Sequence, residues 1–125
     1  MVKPVDPRAV LAHAMREEGP GGLREAVELI AHQFGYEVRH IRDSRGQNVS
    51  DLPDLFCVHG GIPSRAILGR AMWIELKREG KHQTPGQMNM MKLIGEAGYE
   101  VYVFHPSDLY AGTILAILRG IEETP

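Results

Sequence analysis

The second half of the chain contains a strand pattern, a helix start and a second strand pattern in immediate succession. The runs at 72–77 and 99–104 are short and rich in aliphatic and aromatic residues, which is typical of buried strands. Between them, Thr84-Pro85-Gly86-Gln87 has the form of a capping box with proline at the first helical position, which predicts a helix over 85–97 that stops at Gly98. Strand, helix and strand in this order predict two parallel strands joined by a right-handed crossover.

The preceding part of the chain predicts a three-stranded meander that leads into this unit. The other predicted elements are a peripheral helix that starts at Asp6 and Pro7, a helix over 23–34 closed by Gly35, strands over 36–42 and 54–58, and a last helix that begins near Ser107. The stretch 43–51 and a stretch centred near Ser64 and Arg65 are expected to be loops. The order helix, three-stranded meander, helix and strand on a mixed sheet, with an extra N-terminal helix and a C-terminal helix, is an α/β fold.

Composition limits the functional classes. The 125 residues include 14 Lys and Arg against 16 Asp and Glu, for a formal charge of -2, so contact with nucleic acid would need a local basic patch rather than bulk positive charge. The single cysteine, Cys57, suits a reducing compartment. No apolar run approaches the roughly 20 residues of a membrane span, and no signal-peptide pattern is present. A cytoplasmic protein with no membrane partner is therefore the expectation.

Three charged residues form the candidate site: Asp54, Glu75 and Lys77. In an antiparallel hairpin centred near residues 64 and 65, Asp54 lies opposite Glu75, and side chains two apart on a strand, such as Glu75 and Lys77, share a face. Two carboxylates and an ammonium would then converge at the edge of an otherwise apolar sheet. Burying such groups is costly unless they are paired or bound to a cation. A salt bridge between Lys77 and one carboxylate, where the strands reach solvent, is the simpler explanation and stays open.

The same residues carry a family resemblance. Pro53-Asp54 followed by Glu75-Leu76-Lys77 resembles the bipartite signature of the PD-(D/E)xK nuclease superfamily. A longer ordered set is similar to the VRR-NUC branch of that superfamily over about residues 23–118; its members are Arg42-Asp43-Ser44-Arg45, Leu52-Pro53-Asp54-Leu55, Ile74-Glu75-Leu76-Lys77, Gly80-Lys81, Thr84-Pro85, Gln87, Ala97-Gly98 and Pro106-Ser107-Asp108. The resemblance implies a restriction-endonuclease-like core in a nuclease domain over 22–125, with 1–21 as an N-terminal helix and linker.

The resemblance also implies an activity, a cofactor and residue roles. It implies an endonuclease that hydrolyses DNA phosphodiester bonds with Mg²⁺ or Mn²⁺, selective for branched DNA and acting as a homodimer, as Holliday-junction resolvases do. Asp54, Glu75 and the backbone carbonyl of Leu76 would be the metal ligands. Lys77 would orient or help deprotonate the attacking water, and Gln87 would hold that water or a phosphate oxygen. Gln87 also suits the capping box with Thr84, and the two roles are compatible.

One departure from the family pattern concerns an acidic residue at the start of the first core helix. The positions that should hold this acidic residue fall in Pro20-Gly21-Gly22. Glu18, just upstream, is therefore a better candidate for that metal ligand than Glu25, which is expected to be a surface charge. The expected nucleic-acid contacts, on loops beside the site, are Arg42, Arg45, Arg78 and Lys81. Two alternatives stay open. One is a catalytically weak or inactive nuclease-fold DNA-binding module. The other is an α/β small-molecule binder, which is less favoured because no Gly-rich phosphate loop follows a predicted strand.

Overall fold

The computed structural model describes residues 6–41 and 51–120, which form five α-helices, four strands and one 3₁₀ turn. In chain order the elements are α1 (Pro7–Ala14), α2 (Leu23–Gln33), β1 (Glu37–His40), β2 (Leu55–His59), the 3₁₀ turn (Pro63–Arg65), β3 (Arg70–Leu76), α3 (Pro85–Glu96), β4 (Glu100–Phe104), α4 (Pro106–Tyr110) and α5 (Thr113–Arg119). This order confirms the predicted succession of helix, meander, helix and strand.

The four strands form one mixed sheet in the order β1-β2-β3-β4. The pairs β1–β2 and β2–β3 are antiparallel, and β3–β4 is parallel, as the strand, helix and strand pattern predicts. Leu55 lies opposite Ile74, so the hairpin is centred between residues 64 and 65, where the 3₁₀ turn lies. The chain therefore has a mixed α/β fold.

Side-chain caps define the predicted helix starts. Asp6 Oδ1 accepts a hydrogen bond from the Arg8 N–H at 2.9 Å, and Pro7 occupies the first turn of α1. At α3, Thr84 Oγ1 accepts from the Gln87 N–H at 3.1 Å and Gln87 Oε1 accepts from the Thr84 N–H at 2.9 Å. Both orphan donors are thereby satisfied, which confirms the predicted capping box.

The prediction of one last helix is wrong, because the segment divides into α4 and α5. Gly112 separates them with φ +82°, a left-handed conformation that a helix interior does not contain. At the start of α4, Asp108 Oδ2 accepts from the His105 N–H at 2.8 Å, so the helix begins at Pro106. The turn lets α5 pack against α2 on the same side of the sheet.

One face of the sheet carries the core. Alternate strand residues point to this face and meet α2 and α5; the buried cluster comprises Leu23, Val27, Ala31, Tyr36, Val38, Leu55, Cys57, Ile67, Met72, Ile74, Leu76, Phe104, Ile114 and Leu118. Burial raises the pKa of the Cys57 thiol to about 12, which fits its predicted role as a small apolar residue. The opposite face is met by α3 along β4, since a Cβ on Gly95 would lie 3.5 Å from Val101 Cγ2.

A polar network closes the core where β3 begins. Arg70 donates to both carboxylate oxygens of Glu100, from Nε at 2.6 Å and from Nη2 at 2.7 Å, and donates from Nη1 to the Ile117 carbonyl at 2.5 Å. Tyr36 donates its hydroxyl hydrogen to the Leu118 carbonyl at 3.0 Å. These bonds satisfy carbonyls in the last turn of α5 and tie that helix to the sheet.

Candidate functional site

The registers of the sheet align residues across it in rows. The Ile41 N–H donates to the Asp54 carbonyl at 2.9 Å, and Glu75 lies opposite Val103. Continued by one residue from Leu55 and Ile74, the β2–β3 register sets Asp54 opposite Glu75, as the sequence predicts. We call Ile41, Asp54, Glu75 and Val103 the carboxylate row; it lies on the face away from the core.

Both carboxylates of this row are almost wholly buried. Asp54 is 3% exposed and Glu75 is 1% exposed, and they are the buried charged side chains among the residues described. Side chains directly opposite one another in an antiparallel pair have Cβ atoms about 5 Å apart. The fold therefore keeps two acidic groups close together and away from water.

Asp54 also completes the hydrogen bonding at the end of the hairpin. The register sets Pro53 opposite Leu76. Because proline has no N–H, it cannot donate the next inter-strand hydrogen bond to the Leu76 carbonyl. On the donor side, Asp54 Oδ2 accepts from the Leu76 N–H at 2.8 Å. The Pro-Asp pair thus ends the β2–β3 ladder beside the Leu76 carbonyl, the third predicted metal ligand.

Lys77 directly follows β3 and continues its hydrogen bonding to β4. Its N–H donates to the Phe104 carbonyl at 3.0 Å, so the pairing with β4 extends to this residue. The alternation of side chains then sets Lys77 on the same face as Glu75. Lys77 is half-buried. By register and alternation, the three residues of the predicted triad belong to one face and one end of the sheet.

Gln87 lies in the first turn of α3 and takes part in its cap. The backbone N–H and Oε1 of Gln87 are used in the capping box with Thr84. The side-chain NH₂ group is not part of that box. The cap is confirmed, and a catalytic role for Gln87 stays a prediction.

The turn before α2 holds the predicted helix-start acid. Glu18 forms an ion pair with Arg24, in the first turn of that helix. The neighbouring Glu17, which the sequence reasoning missed, reaches the loop after β3, where its Oε1 accepts from the Arg78 N–H at 3.1 Å. That contact joins two loops 61 residues apart in the chain, and no local pattern predicts it. A metal-ligand role for Glu18 stays a prediction.

The loop after β3 presents two of the four predicted nucleic-acid contacts. Arg78 and Lys81 are exposed and lie in a turn closed by the Lys81 N–H, which donates to the Arg78 carbonyl at 3.0 Å. His105 Nε2 donates to the Lys81 carbonyl at 3.0 Å, so the backbone of this turn is anchored while both basic side chains face solvent. Arg42 and Arg45 lie outside the described residues.

The donor set fits a hard divalent cation. Over 6–41 and 51–120, no group of three or more His, Cys, Asp or Glu side chains is arranged to hold a metal ion. Mg²⁺, however, is commonly held by one or two carboxylates, with water and substrate phosphate in the other positions. Asp54, Glu75 and the Leu76 carbonyl are oxygen donors of that kind.

A cavity of about 250 Å³ lies elsewhere, between α1 and α4, and is lined by Asp6, Arg8, Ala9, Ala12, His13, Glu79, Ser107, Tyr110 and Ala111. None of these is a residue of the predicted triad, so the cavity is separate from the carboxylate row. Within the described part of the chain, no helix has the length and apolar character needed to cross a membrane.

Comparison of the chain with protein-family models, with curated proteins and with solved structures found no match. The resemblance carried by Pro53-Asp54 and Glu75-Leu76-Lys77 accordingly stays a prediction. The observations that bear on function are the burial of the two carboxylates, their register and the loops that surround them.

Proposed function

We propose that the chain is a metal-dependent endonuclease that hydrolyses DNA phosphodiester bonds on a restriction-endonuclease-like core. The observation that carries this proposal is the opposition of Asp54 and Glu75, two carboxylates buried to 3% and 1% exposure, at a strand end that Lys77 follows. Two buried carboxylates side by side are costly unless a proton or a cation offsets their charge. Lys77, two residues after Glu75, is half-buried, and Arg78, which follows it, is exposed, so the chain reaches the surface beside these carboxylates.

Asp54, Glu75 and the Leu76 carbonyl would hold the metal. A bound Mg²⁺ or Mn²⁺ ion supplies Lewis-acid polarisation of the scissile phosphate and a water of lowered pKa. The proline opposite Leu76 supports this assignment, because it has no N–H to occupy the Leu76 carbonyl. The hydrogen bond from the Leu76 N–H fixes the Asp54 carboxylate in place.

Lys77 supplies positive charge on the same face. Its ammonium offsets the negative charge that develops on the phosphate oxygens as the bond breaks, and it orients the attacking water. The NH₂ group of Gln87 is the proposed second donor to that water or to a phosphate oxygen. Arg78 and Lys81 are proposed to contact phosphates on either side of the cleaved bond, together with Arg42 and Arg45.

A DNA-binding module without cleavage is the second candidate. Glu18, the predicted helix-start ligand, is paired with Arg24, and an active site with one acid fewer binds its metal more weakly. Binding of branched DNA and assembly as a homodimer are proposed for both candidates.

A cleavage assay separates the two candidates. Plasmid and branched-junction DNA are incubated with Mg²⁺ or Mn²⁺ and the wild type, Asp54→Asn or Lys77→Met, with Lys92→Met as the matched control on the exposed side of α3. We expect cutting by the wild type and by Lys92→Met, and a loss of about 100-fold or more in the two site variants. Binding without cutting in either metal would reject the nuclease and favour the binding module.

A further inference from the structure

A second row of side chains lies directly beside the carboxylate row. Arg39 lies opposite Phe56, Phe56 opposite Trp73 and Trp73 opposite Val101. We call these four residues the aromatic row. It is two residues from the carboxylate row along each strand, so the rows share a face and lie about 7 Å apart, given a rise of about 3.4 Å per residue.

The two aromatic side chains of this row are paired and are not part of the core. The ring centroids of Phe56 and Trp73 are 4.8 Å apart, with an interplanar angle of 51°. Both side chains are half-buried, and neither belongs to the buried cluster nor to the partly buried residues that pack on it. They cover the outer face of the sheet at its centre.

The ends of the aromatic row differ in chemistry. At one end, Val101 meets α3 near Gly95, which closes that side. At the other end, the Arg39 side chain is 69% exposed and donates to Glu37 Oε2 at 3.0 Å, on β1, the edge strand of the sheet formed by the described residues. The row therefore runs from an exposed cation over two aromatic rings to a helix.

We propose that the aromatic row is a stacking platform for an unpaired base of the substrate, next to the phosphodiester bond that the carboxylate row attacks. This inference rests on the proposed nuclease function and names its substrate class: nucleic acid with at least one unpaired nucleotide beside the cleaved bond. Bases within a duplex have both faces covered by their neighbours, so only an unpaired base can lay its face on Phe56 or Trp73. Arg39 contacts the phosphate of that nucleotide.

The neighbourhood of the row favours a nucleotide over a second copy of the chain. A symmetric dimer built on this row would set the same patch against itself, with two aromatic rings and an arginine on each side. A nucleotide instead presents an apolar face to the rings and a phosphate to the cation. A nucleotide therefore matches both the aromatic rings and Arg39.

Trp73 provides the test, because it is the only tryptophan of the chain. Its emission is titrated, in EDTA so that no metal-dependent cleavage occurs, with a twelve-nucleotide single strand and with a blunt duplex of equal length. We expect saturable quenching by the single strand and binding at least about tenfold weaker for the duplex. Phe56→Leu should weaken single-strand binding about 5- to 100-fold. Tyr110→Leu, on α4 beside the separate cavity, is the control and should bind as the wild type does.

A second pair of variants separates stacking from folding. With a labelled oligonucleotide read by anisotropy, Trp73→Phe should retain binding within about threefold and Trp73→Leu should lose it, at equal melting temperatures. Equal affinity for single strand and duplex, or no change in Trp73 emission, would overturn the proposal. Evidence that the row is a dimer interface would also overturn it. That evidence would be Trp73 emission that changes with protein concentration alone, together with a dimer in sedimentation that Phe56→Leu converts to a monomer. None of these readouts involves cleavage, so the proposal and the nuclease function can fail separately.

Discussion

Asp54 has two functions at the end of the β2–β3 hairpin. Its carboxylate accepts from the Leu76 N–H, and it is the side chain that faces Glu75. The first role is structural and the second is the proposed chemical one, and the two should respond differently to substitution.

Asp54→Ala should lower the free energy of unfolding by about 1–3 kcal/mol, because the buried Leu76 N–H loses its acceptor. Asp54→Asn keeps an acceptor oxygen and should cost less than about 1 kcal/mol, while both variants lose cleavage. Urea denaturation without metal measures the difference. Equal destabilisation by the two variants would show that the hydrogen bond contributes little.

Glu100 is the residue through which pH acts on the core network. Hydrogen bonds from Arg70 lower the pKa of the Glu100 carboxyl below its ordinary value, and the hydroxyl of Tyr102 adds to the effect. A group with a lowered pKa in the folded state stabilises the protein above its unfolded pKa, and that stabilisation is lost as the pH falls through the folded pKa.

Glu100→Gln should therefore be less stable than the wild type at pH 7, and the difference should shrink as the pH falls below about 4.3, the usual pKa of glutamate. Denaturation curves between pH 7 and pH 3 measure it. Glu96→Gln is the control, since its contact with Lys92, at 3.9 Å, is exposed. A gap between wild type and Glu100→Gln that stays constant over this range would contradict the linkage.

Among the elements, the start of α3 combines a cap with a residue of proposed catalytic role. Thr84 and Gln87 satisfy each other's backbone N–H groups, and the same turn is proposed to present the Gln87 NH₂ group to the substrate. The two roles use different atoms of one side chain.

Gln87→Glu separates those roles. Glutamate retains the capping box and its charge is favourable at a helix start, so stability should equal that of the wild type or exceed it slightly. Cleavage should fall about tenfold, because the NH₂ donor is lost, which corresponds to about 1.4 kcal/mol in the barrier. Single-turnover rates and melting temperatures of the variant test this, and an unchanged rate would limit Gln87 to the cap.

The break between α4 and α5 depends on one backbone conformation. Gly112 has φ +82°, whereas Gly95 lies inside α3, where an added Cβ would make an ordinary contact of 3.5 Å with Val101. Gly112→Ala should destabilise the protein by about 1 kcal/mol, and Gly95→Ala should stabilise it by up to about 1 kcal/mol. Thermal denaturation of the two variants should give opposite signs; the same sign in both would contradict this account.

In the molecule as a whole, the two faces of the sheet carry different groups of residues. One face packs against α2 and α5 and carries the buried cluster. The other face carries the carboxylate row and the aromatic row. The formal charge of -2 excludes broad electrostatic coating of DNA but leaves a local contact beside exposed Arg78 and Lys81.

The strand pairing and the helix cap could be predicted because both depend on short sequence patterns. The two-residue alternation and a symmetric hairpin were enough to set Asp54 opposite Glu75, and the cap of α3 was written in four consecutive residues. The contact of Glu17 with Arg78 was not predictable, because it joins distant loops. The pairing of Phe56 with Trp73 follows from that same hairpin register and was missed, whereas the ends of the aromatic row, Arg39 and Val101, need the registers of β1 and β4.

The proposed function requires that Asp54 and Glu75 together hold a divalent cation. A crystal of the wild type soaked with Mn²⁺, with data collected at the manganese edge, tests it most directly, and an Asp54→Asn crystal treated identically is the control. We expect an anomalous peak between the carboxylates of Asp54 and Glu75, within about 2.2 Å of an oxygen of each, and its loss in Asp54→Asn. No peak there at a Mn²⁺ concentration that supports cleavage, or a peak elsewhere that Asp54→Asn leaves unchanged, would contradict it.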